Sequence, residues 1–282
     1  MIAVRPSEFC RARTEDTLKK PAVLVALLLL ASSAALGCQS SAPSGSSATS
    51  SNGNDVLFQY STLDTLMAGV YDGDVTFGEL KQHGDFGLGT FNTLDGEMVE
   101  VDHQFYQVKS DGVAYPVSDD MKAPFAEVTY FAADQTIEVR DALDCAGLQK
   151  FLDGKLPSLN VPYAIKITGV FAQLQTRSVP KQTKPYPPLA QVVKTQSTFD
   201  FTNVSGVMVG FRLPTYMSGV GAAGYHVHFL TDDRKAGGHV LSCKVQKVTV
   251  EIDTTGELNM VLPSDAAFYK VDLSTSSPKA GE

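Results

Sequence analysis

Three of the five histidines in this 282-residue chain fall between His226 and His239. His226 and His228 are two positions apart, and side chains at that spacing in a β-strand point to the same face of the sheet. The segment 231–238 is polar and ends in two glycines, which is typical of a hairpin loop. The spacing therefore predicts a β-hairpin in which His239 faces the other two histidines.

Three converging imidazoles are typical of a metal site. Neutral imidazoles suit Zn²⁺, and three protein ligands leave a coordination position open for water or substrate, as in catalytic zinc sites. The residue types leave Mn²⁺ and Fe²⁺ open, although the two-histidine, one-carboxylate set of non-haem iron enzymes is not the pattern here. We predict His226, His228 and His239 as metal ligands, against the alternative that each is an ordinary hydrogen-bonded or surface histidine.

The N-terminal region has the order of a secretory signal peptide. Basic residues precede an apolar run from Pro21 to Leu36, which Gly37 and Cys38 follow. The run is shorter than the roughly 20 residues that a membrane-spanning helix needs, so residues 1–37 are predicted to be a signal peptide. Cys38 resembles the lipidated cysteine of a bacterial lipobox. We expect an exported protein, either a membrane-anchored lipoprotein or a secreted or periplasmic protein.

A serine-rich stretch, 38–55, is predicted to be a flexible tether before the globular part of the chain. Apolar alternation between glycine-rich turns then predicts a β-dominated α+β fold, with two lobes built on mixed β-sheets and a few short helices. A proline-rich connection, 179–189, places the lobes at 56–180 and 181–282, the second carrying the metal site. The predicted helices are one capped by Ser61 or Thr62 that ends at Ala68 and one over 142–152 closed by Gly154; the predicted strands are 97–101, 105–108, 126–131, 163–170, 199–201, 206–212, 225–230, 239–250 and 258–262.

Composition restricts the partners. The chain has 23 Lys and Arg against 31 Asp and Glu, a net charge of -8, and no long basic cluster. This charge pattern argues against a nucleic-acid partner. We expect a small-molecule substrate, with membrane contact only through a lipid on Cys38. Cys145 and Cys243 can form one disulfide, but their spacing in the sequence does not decide whether they do.

Exposed edge strands in a β-rich lobe also predict a homodimer.

Four motifs occur in order along the globular part of the chain. They are VLFQYS at 56–61, GDFGLGTF followed by LDGE at 84–97, RSVPKQ followed by PYP at 177–187, and the histidine hairpin at 224–241 with its DRK and GGHVL segments. Together they resemble the α-acetolactate decarboxylase family. The resemblance extends from Val56 to about Leu273.

The resemblance implies a zinc enzyme that converts 2-hydroxy-2-methyl-3-oxobutanoate to acetoin and carbon dioxide through a metal-stabilised enediolate. It implies the three histidines as ligands and Glu97 and Arg177 as catalytic residues. It also implies a glutamate from the C-terminal tail, for which Glu282 is the available residue. Without the resemblance, Glu97 would be expected to be an exposed strand-edge carboxylate and Arg177 a member of a surface ion pair.

The chemistry of a β-keto acid agrees with these roles. A cation lowers the barrier by stabilising charge on the ketone oxygen. Arg177 can hold the leaving carboxylate or an alkoxide through two hydrogen bonds, which lysine cannot reproduce. Glu97 can protonate the enediolate carbon.

Three other interpretations are compatible with the histidines. A cupin-like oxygenase or isomerase would need a glutamate shortly after the histidine pair, where only Asp232 and Asp233 are available. A non-catalytic exported lipoprotein that binds metal would be expected to have His-rich or acidic low-complexity sequence, whereas the tether is rich in serine. A β-rich surface protein without a ligand would leave the converging histidines unexplained.

Overall fold

The computed structural model describes residues 55–274. The predicted signal peptide, nearly all of the predicted tether, Cys38 and Glu282 lie outside the described residues. Strands dominate the fold and the helices are few and short, which confirms the predicted β-dominated α+β class. Among residues 55–274, no helix is long and apolar enough to cross a membrane.

The elements of the described chain follow one another in this order. The strands are β1 (Val56–Tyr60), β2 (Val75–Thr76), β3 (Phe86–Thr90), β4 (Glu97–Val101), β5 (Gln104–Val108), β6 (Ala114–Pro116), β7 (Lys122–Ala123), β8 (Ala126–Thr129), β9 (Gln135–Val139), β10 (Leu143–Asp144), β11 (Tyr163–Ser178), β12 (Ser197–Leu213), β13 (Gly224–Thr231), β14 (Gly237–Thr254) and β15 (Glu257–Val261). The α-helices are α1 (Leu63–Met67), α2 (Phe77–Leu80), α3 (Cys145–Asp153), α4 (Leu189–Val192) and α5 (Ala266–Lys270), and short 3₁₀ turns lie at Asn92–Leu94, Val193–Thr195 and Thr215–Met217.

Two large sheets form the body of the molecule. The first has seven strands in the order β15-β1-β8-β3-β4-β5-β6, and it is mixed because β1 and β15 are parallel while its other pairs are antiparallel. The second has six antiparallel strands, in the order β10-β14-β11-β12-β13 with β9 also on β14. An added pairing between β13 and β14 closes β11, β12, β13 and β14 into a ring. Strands β2 and β7 form a separate two-stranded sheet.

The alternation of side chains along β4 divides it between two cores. Val99 and Val101 belong to a core that the first sheet shares with the second sheet. Met98, the residue before Val99, belongs to a core on the other face of the first sheet. Because alternate residues of a strand point to opposite faces, Glu97 shares the face of Val99 and points toward the second sheet.

The same alternation along β13 sets the direction of the histidines. Leu230 belongs to the core between the sheets, whereas Phe229 belongs to a core on the far side of the second sheet. His226 and His228 are in phase with Leu230, so both point into the space between the sheets. The two sheets therefore face each other with Glu97 on one side and the histidine pair on the other.

Both predicted helices are present, but the one predicted over 142–152 begins at Cys145, because Leu143–Asp144 form β10. The Thr62 hydroxyl accepts a hydrogen bond from the Thr65 amide and caps α1, and Gly154 caps the C-terminal end of α3.

Both sheets contain strands from either side of residue 180. In the second sheet β11 precedes this residue, and in the first sheet β15 follows it. The predicted lobe limits of 56–180 and 181–282 therefore do not coincide with the sheets, and as limits of folding units they stay a prediction.

Cys145 and Cys243 form a disulfide. Cys145 is the first residue of α3, and Cys243 lies on β14, where it packs in the core on the far side of the second sheet. The bond ties the helix to the back of the sheet whose other face carries the histidines.

Removing this disulfide is expected to lower the free energy of unfolding by about 2–5 kcal/mol, because a cross-link between residues 98 positions apart restricts the unfolded chain. Urea unfolding of wild type and of the Cys145→Ser, Cys243→Ser double variant measures the difference. Wild type treated with dithiothreitol should match the double variant, whose own midpoint should not respond to the reductant. A wild-type midpoint that does not change on reduction would contradict the prediction.

Candidate metal centre

The hairpin of β13 and β14 brings the three predicted ligands together. His228 and His239 are direct partners in the β13–β14 ladder, and His226 Nε2 lies 3.2 Å from His239 Nδ1. One nitrogen from each ring lies within 4.8 Å of the other two. In the described part of the chain, this is the single group of three or more His, Cys, Asp or Glu side chains close enough to share one ion.

Two glycines allow β14 to approach its neighbours at this point. A Cβ atom on Gly237 would lie 2.1 Å from the carbonyl oxygen of Phe229 on β13. A Cβ atom on Gly238 would lie 2.5 Å from the carbonyl oxygen of Arg177 on β11, and its φ of +127° is outside the range that side chains tolerate. These glycines therefore let His239 sit between β13 and β11.

His228 is held in one orientation. Its Nδ1 lies 2.7 Å from the carbonyl oxygen of Met98 on β4, so the Nδ1–H donates to that carbonyl. The side chain is fully buried, and its Nε2 has no hydrogen-bond partner among the described residues. A hydrogen bond from the second ring nitrogen to a backbone carbonyl is the usual way in which proteins orient a metal-binding histidine. Nε2 is thus the free ligand atom.

The histidines are held in their neutral form. Burial lowers the pKa of His226 to about 4, and the nearby positive charge of Arg177 lowers it further. Burial also lowers the pKa values of His228 and His239 well below the usual range. Only a neutral imidazole has a lone pair for a metal. This donor set has three neutral imidazoles, His228 fully buried and the other two half-buried, and among the described residues His226 Nδ1 and His228 Nε2 have no hydrogen-bond partner. It therefore fits a divalent transition metal.

Glu97 and Arg177 lie beside the triad. Glu97 projects from β4 of the first sheet, and Arg177 projects from β11 of the second, where it is the cross-strand partner of His239. Arg177 Nη1 is 3.9 Å from Glu97 Oε1, and His228 Nε2 is 3.7 Å from Glu97 Oε2. Burial raises the pKa of Glu97 to about 7, and the charge of Arg177 opposes that rise. Every predicted site residue within 55–274 is thus in one place.

The groups that hold Glu97 were missed by the sequence prediction. The Thr90 hydroxyl donates to the Gly96 carbonyl at 2.7 Å, and the Gln107 side-chain amide donates to the Asp95 carbonyl at 2.6 Å. These bonds fix the turn that precedes Glu97. Hydrogen bonds to backbone carbonyls leave no pattern in the sequence. Of the two side-chain donors, Thr90 lies in one of the four motifs and Gln107 lies in none of them.

The model of the family described as alpha-acetolactate decarboxylase matches residues 57–275. The chain belongs to this family. The match covers the histidine hairpin and the motifs that contain Glu97 and Arg177, and it confirms the resemblance predicted from the sequence.

Individual relatives in the alpha-acetolactate decarboxylase family are similar over nearly the same range. The alpha-acetolactate decarboxylase of Methanosarcina mazei is 50% identical over 224 residues, which cover 79% of this chain and 78% of the relative. That of Bacillus subtilis is 42% identical over 217 residues, covering 77% of this chain and 85% of the relative. The crystal structure of the enzyme from B. subtilis strain 168 has a TM-score of 0.77 at 42% identity, covering 78% of this chain and 94% of that one.

Proposed function

We propose that this chain decarboxylates α-acetolactate to acetoin and carbon dioxide, with a zinc ion held by His226, His228 and His239. The observation that carries the proposal is the position of the neutral histidine triad against the Glu97–Arg177 pair in the space between the sheets. Membership of a family whose relatives are named alpha-acetolactate decarboxylase supplies the reaction class.

A cation, a carboxylate anchor and a proton donor each lower the barrier of this reaction. The bond between C2 and the carboxylate carbon breaks, and carbon dioxide leaves. The electron pair of that bond forms a double bond between C2 and the ketone carbon, and the π electrons of the ketone move to its oxygen, which gives an enediolate. C2 then takes up a proton to give acetoin. When bound, the ion supplies positive charge that stabilises negative charge on the ketone oxygen.

Arg177 is assigned to the substrate carboxylate. A guanidinium donates two parallel hydrogen bonds to a carboxylate, which fixes the orientation of the C2–carboxylate bond. Only 15% of the Arg177 side chain is exposed, so water competes weakly for these donors. As the cross-strand partner of His239, Arg177 is also beside the ion site.

Glu97 is assigned to the proton transfer. Its two carboxyl oxygens face different partners, Oε1 toward Arg177 and Oε2 toward His228. A carboxyl beside the guanidinium that would hold the substrate carboxylate is placed to act as the proton donor to C2. Glu282, the residue implied for the C-terminal part of the site, stays a prediction.

Two observations favour decarboxylation over the alternatives of a cupin-like oxygenase or isomerase and of a non-catalytic metal-binding lipoprotein. The family match covers residues 57–275. A buried carboxyl–guanidinium pair beside the triad has a role in breaking a carbon–carboxylate bond, whereas simple metal carriage gives it none.

The test is metal analysis and an acetoin assay on one preparation of the purified protein with racemic α-acetolactate. We expect about one zinc per chain and acetoin formation, with both lost after treatment with a chelator and activity restored by Zn²⁺. Zinc without acetoin would overturn the proposed reaction. Acetoin formation with another metal would overturn the choice of zinc.

We also propose that the protein is exported and that Cys38 is its lipid anchor. The Cys145–Cys243 disulfide supports export, because disulfides persist mainly in oxidising compartments. Fractionation of the producing cells, with a Cys38→Ala variant beside wild type, tests this. Recovery of unprocessed wild type from the cytoplasm would contradict export, and equal membrane binding of the two proteins would contradict the anchor.

We further propose a homodimer formed through β15. This strand is the edge of the first sheet, and Leu258, Met260 and Val261 expose 47, 38 and 43% of their surface. An exposed apolar edge is able to pair with the same strand of a second copy about a two-fold axis. Light scattering should give twice the chain mass for wild type and the chain mass for a Leu258→Lys, Met260→Lys variant. A monomeric wild type would contradict the proposal.

A further inference from the structure

Ser178 ties the two sheets together beside the proposed site. Its hydroxyl donates to the carbonyl oxygen of Val108 at 2.8 Å, and both residues are buried. Ser178 is the last residue of β11 and follows Arg177 directly. Val108 is the last residue of β5 and the cross-strand partner of Glu97. This single bond therefore joins the residue next to Arg177 to the residue opposite Glu97.

The separation between Glu97 and Arg177 depends on the backbone. The distance from Arg177 Nη1 to Glu97 Oε1, 3.9 Å, is longer than a hydrogen bond, so this contact does not fix the separation of the two side chains. Each side chain is placed by its own strand, β4 in one sheet and β11 in the other. The distance between the two side chains is therefore set by the contacts that hold β4 and β11 at a fixed spacing.

Two side-chain hydrogen bonds cross between the sheets on either side of Glu97. One runs from His228 to the carbonyl of Met98, the residue after Glu97, and the other is the Ser178–Val108 bond. The neighbouring hydroxyl of Thr176 differs, because it donates to the Gly237 carbonyl at 2.7 Å within the second sheet. Of the two residues that donate a hydrogen bond from one sheet to the other here, Ser178 is the one that is not a predicted metal ligand.

We propose that Ser178 is a positioning residue that sets the Arg177 guanidinium against the Glu97 carboxyl. The inference rests on the proposed decarboxylation. Water does not replace the lost bond easily, because Ser178 is fully buried. Without the hydroxyl, the tie between the ends of β5 and β11 is lost, and a small increase in their spacing moves Glu97 and Arg177 apart. A displacement of about 1 Å in a catalytic group lowers the rate by up to about 100-fold.

Steady-state kinetics, metal analysis and thermal unfolding of Ser178→Ala test the proposal. We expect kcat to fall about 10- to 100-fold, while KM stays within about 3-fold of wild type and the metal content per folded chain is unchanged. Ser178→Thr keeps the hydroxyl and should restore most of kcat. A purely structural role would instead lower activity only in proportion to the folded, metal-loaded fraction.

Thr129→Val is the matched control. The Thr129 hydroxyl is also buried and donates to a backbone carbonyl, that of Val56 at 2.9 Å, but the bond lies within the first sheet. This variant should lose thermal stability without losing kcat. If wild type forms acetoin and Ser178→Ala keeps its kcat, or if Thr129→Val loses as much as Ser178→Ala, the positioning role is overturned. An inactive wild type would overturn the proposed function, and the positioning role with it.

Discussion

Replacing His226 by alanine is expected to abolish both metal binding and acetoin formation. The substitution removes one of three imidazoles whose nitrogens lie within 4.8 Å of one another. Loss of a residue that merely orients a ligand costs about 10- to 100-fold in metal affinity, so loss of a ligand should cost more than about 100-fold. Metal analysis after dialysis and the acetoin assay on the same sample measure the two losses together.

His226 is the ligand best suited to this test. His228 also donates to the Met98 carbonyl, so its removal would disturb the link between the sheets as well. The control is His103→Asn, which removes a histidine with 60% of its side chain exposed, on the turn between β4 and β5. Asparagine tolerates the positive φ of 61° at that position. If His226→Ala keeps its metal and its activity, the triad is not the metal site.

The histidine hairpin was predictable because its signals are local. The period of two along a strand is fixed by strand geometry, and a polar loop ending in glycines marks the turn. The structure has β13 and β14 at these positions, and Phe229 packs away from the histidines as that period requires. Local pattern therefore fixed the direction and the partners of three site residues.

The burial of Glu97 was not predictable from its own segment. The alternation over 97–101 is typical of a half-buried strand, yet all five residues of β4 are buried. Both faces of the first sheet are covered, one by the second sheet and the other by a separate core. Tertiary contacts of this kind override local strand patterns. The expectation of an exposed carboxylate was therefore wrong, while the family resemblance had indicated a site residue.

The lengths of the long strands were also underestimated. The predicted strands 199–201 and 206–212 are one strand, β12, and the strand predicted to end at Val170 continues to Ser178 as β11. Most of the residues in these extensions are polar, but a ladder between strands pairs backbone groups and does not require apolar side chains. This extension matters for the site because it carries Arg177 to the histidine end of the sheet.

The proposed site is a product of the contact between two sheets. Its ligands and its guanidinium come from the second sheet, and its carboxyl comes from the first. No single segment of the chain contains both kinds of group, which is why the motifs that supply them are separated along the sequence. Variants that separate the sheets and variants that remove a ligand should therefore differ in one measurable way, the retention of metal.

Replacing Glu97 by glutamine is expected to lower kcat by about 10²- to 10⁴-fold, the usual contribution of a positioned acid or base. Glutamine has nearly the same shape but no carboxyl proton to deliver to C2. The three imidazoles are untouched, so the metal content should equal that of wild type. Any enantiomeric excess measured in the acetoin from wild type should also fall, because solvent would then protonate either face of the enediolate.

Glu127→Gln is the matched control for this variant. Glu127 is a fully buried carboxyl on β8 of the same sheet, and burial raises its pKa to about 8, but its strand is separated from β4 by β3. The same chemical change at this position should leave kcat and the enantiomeric excess as in wild type. If Glu97→Gln retains a kcat within a few-fold of wild type, or if the two glutamine variants lose activity equally, Glu97 does not deliver the proton and the carboxyl serves only to pair with Arg177.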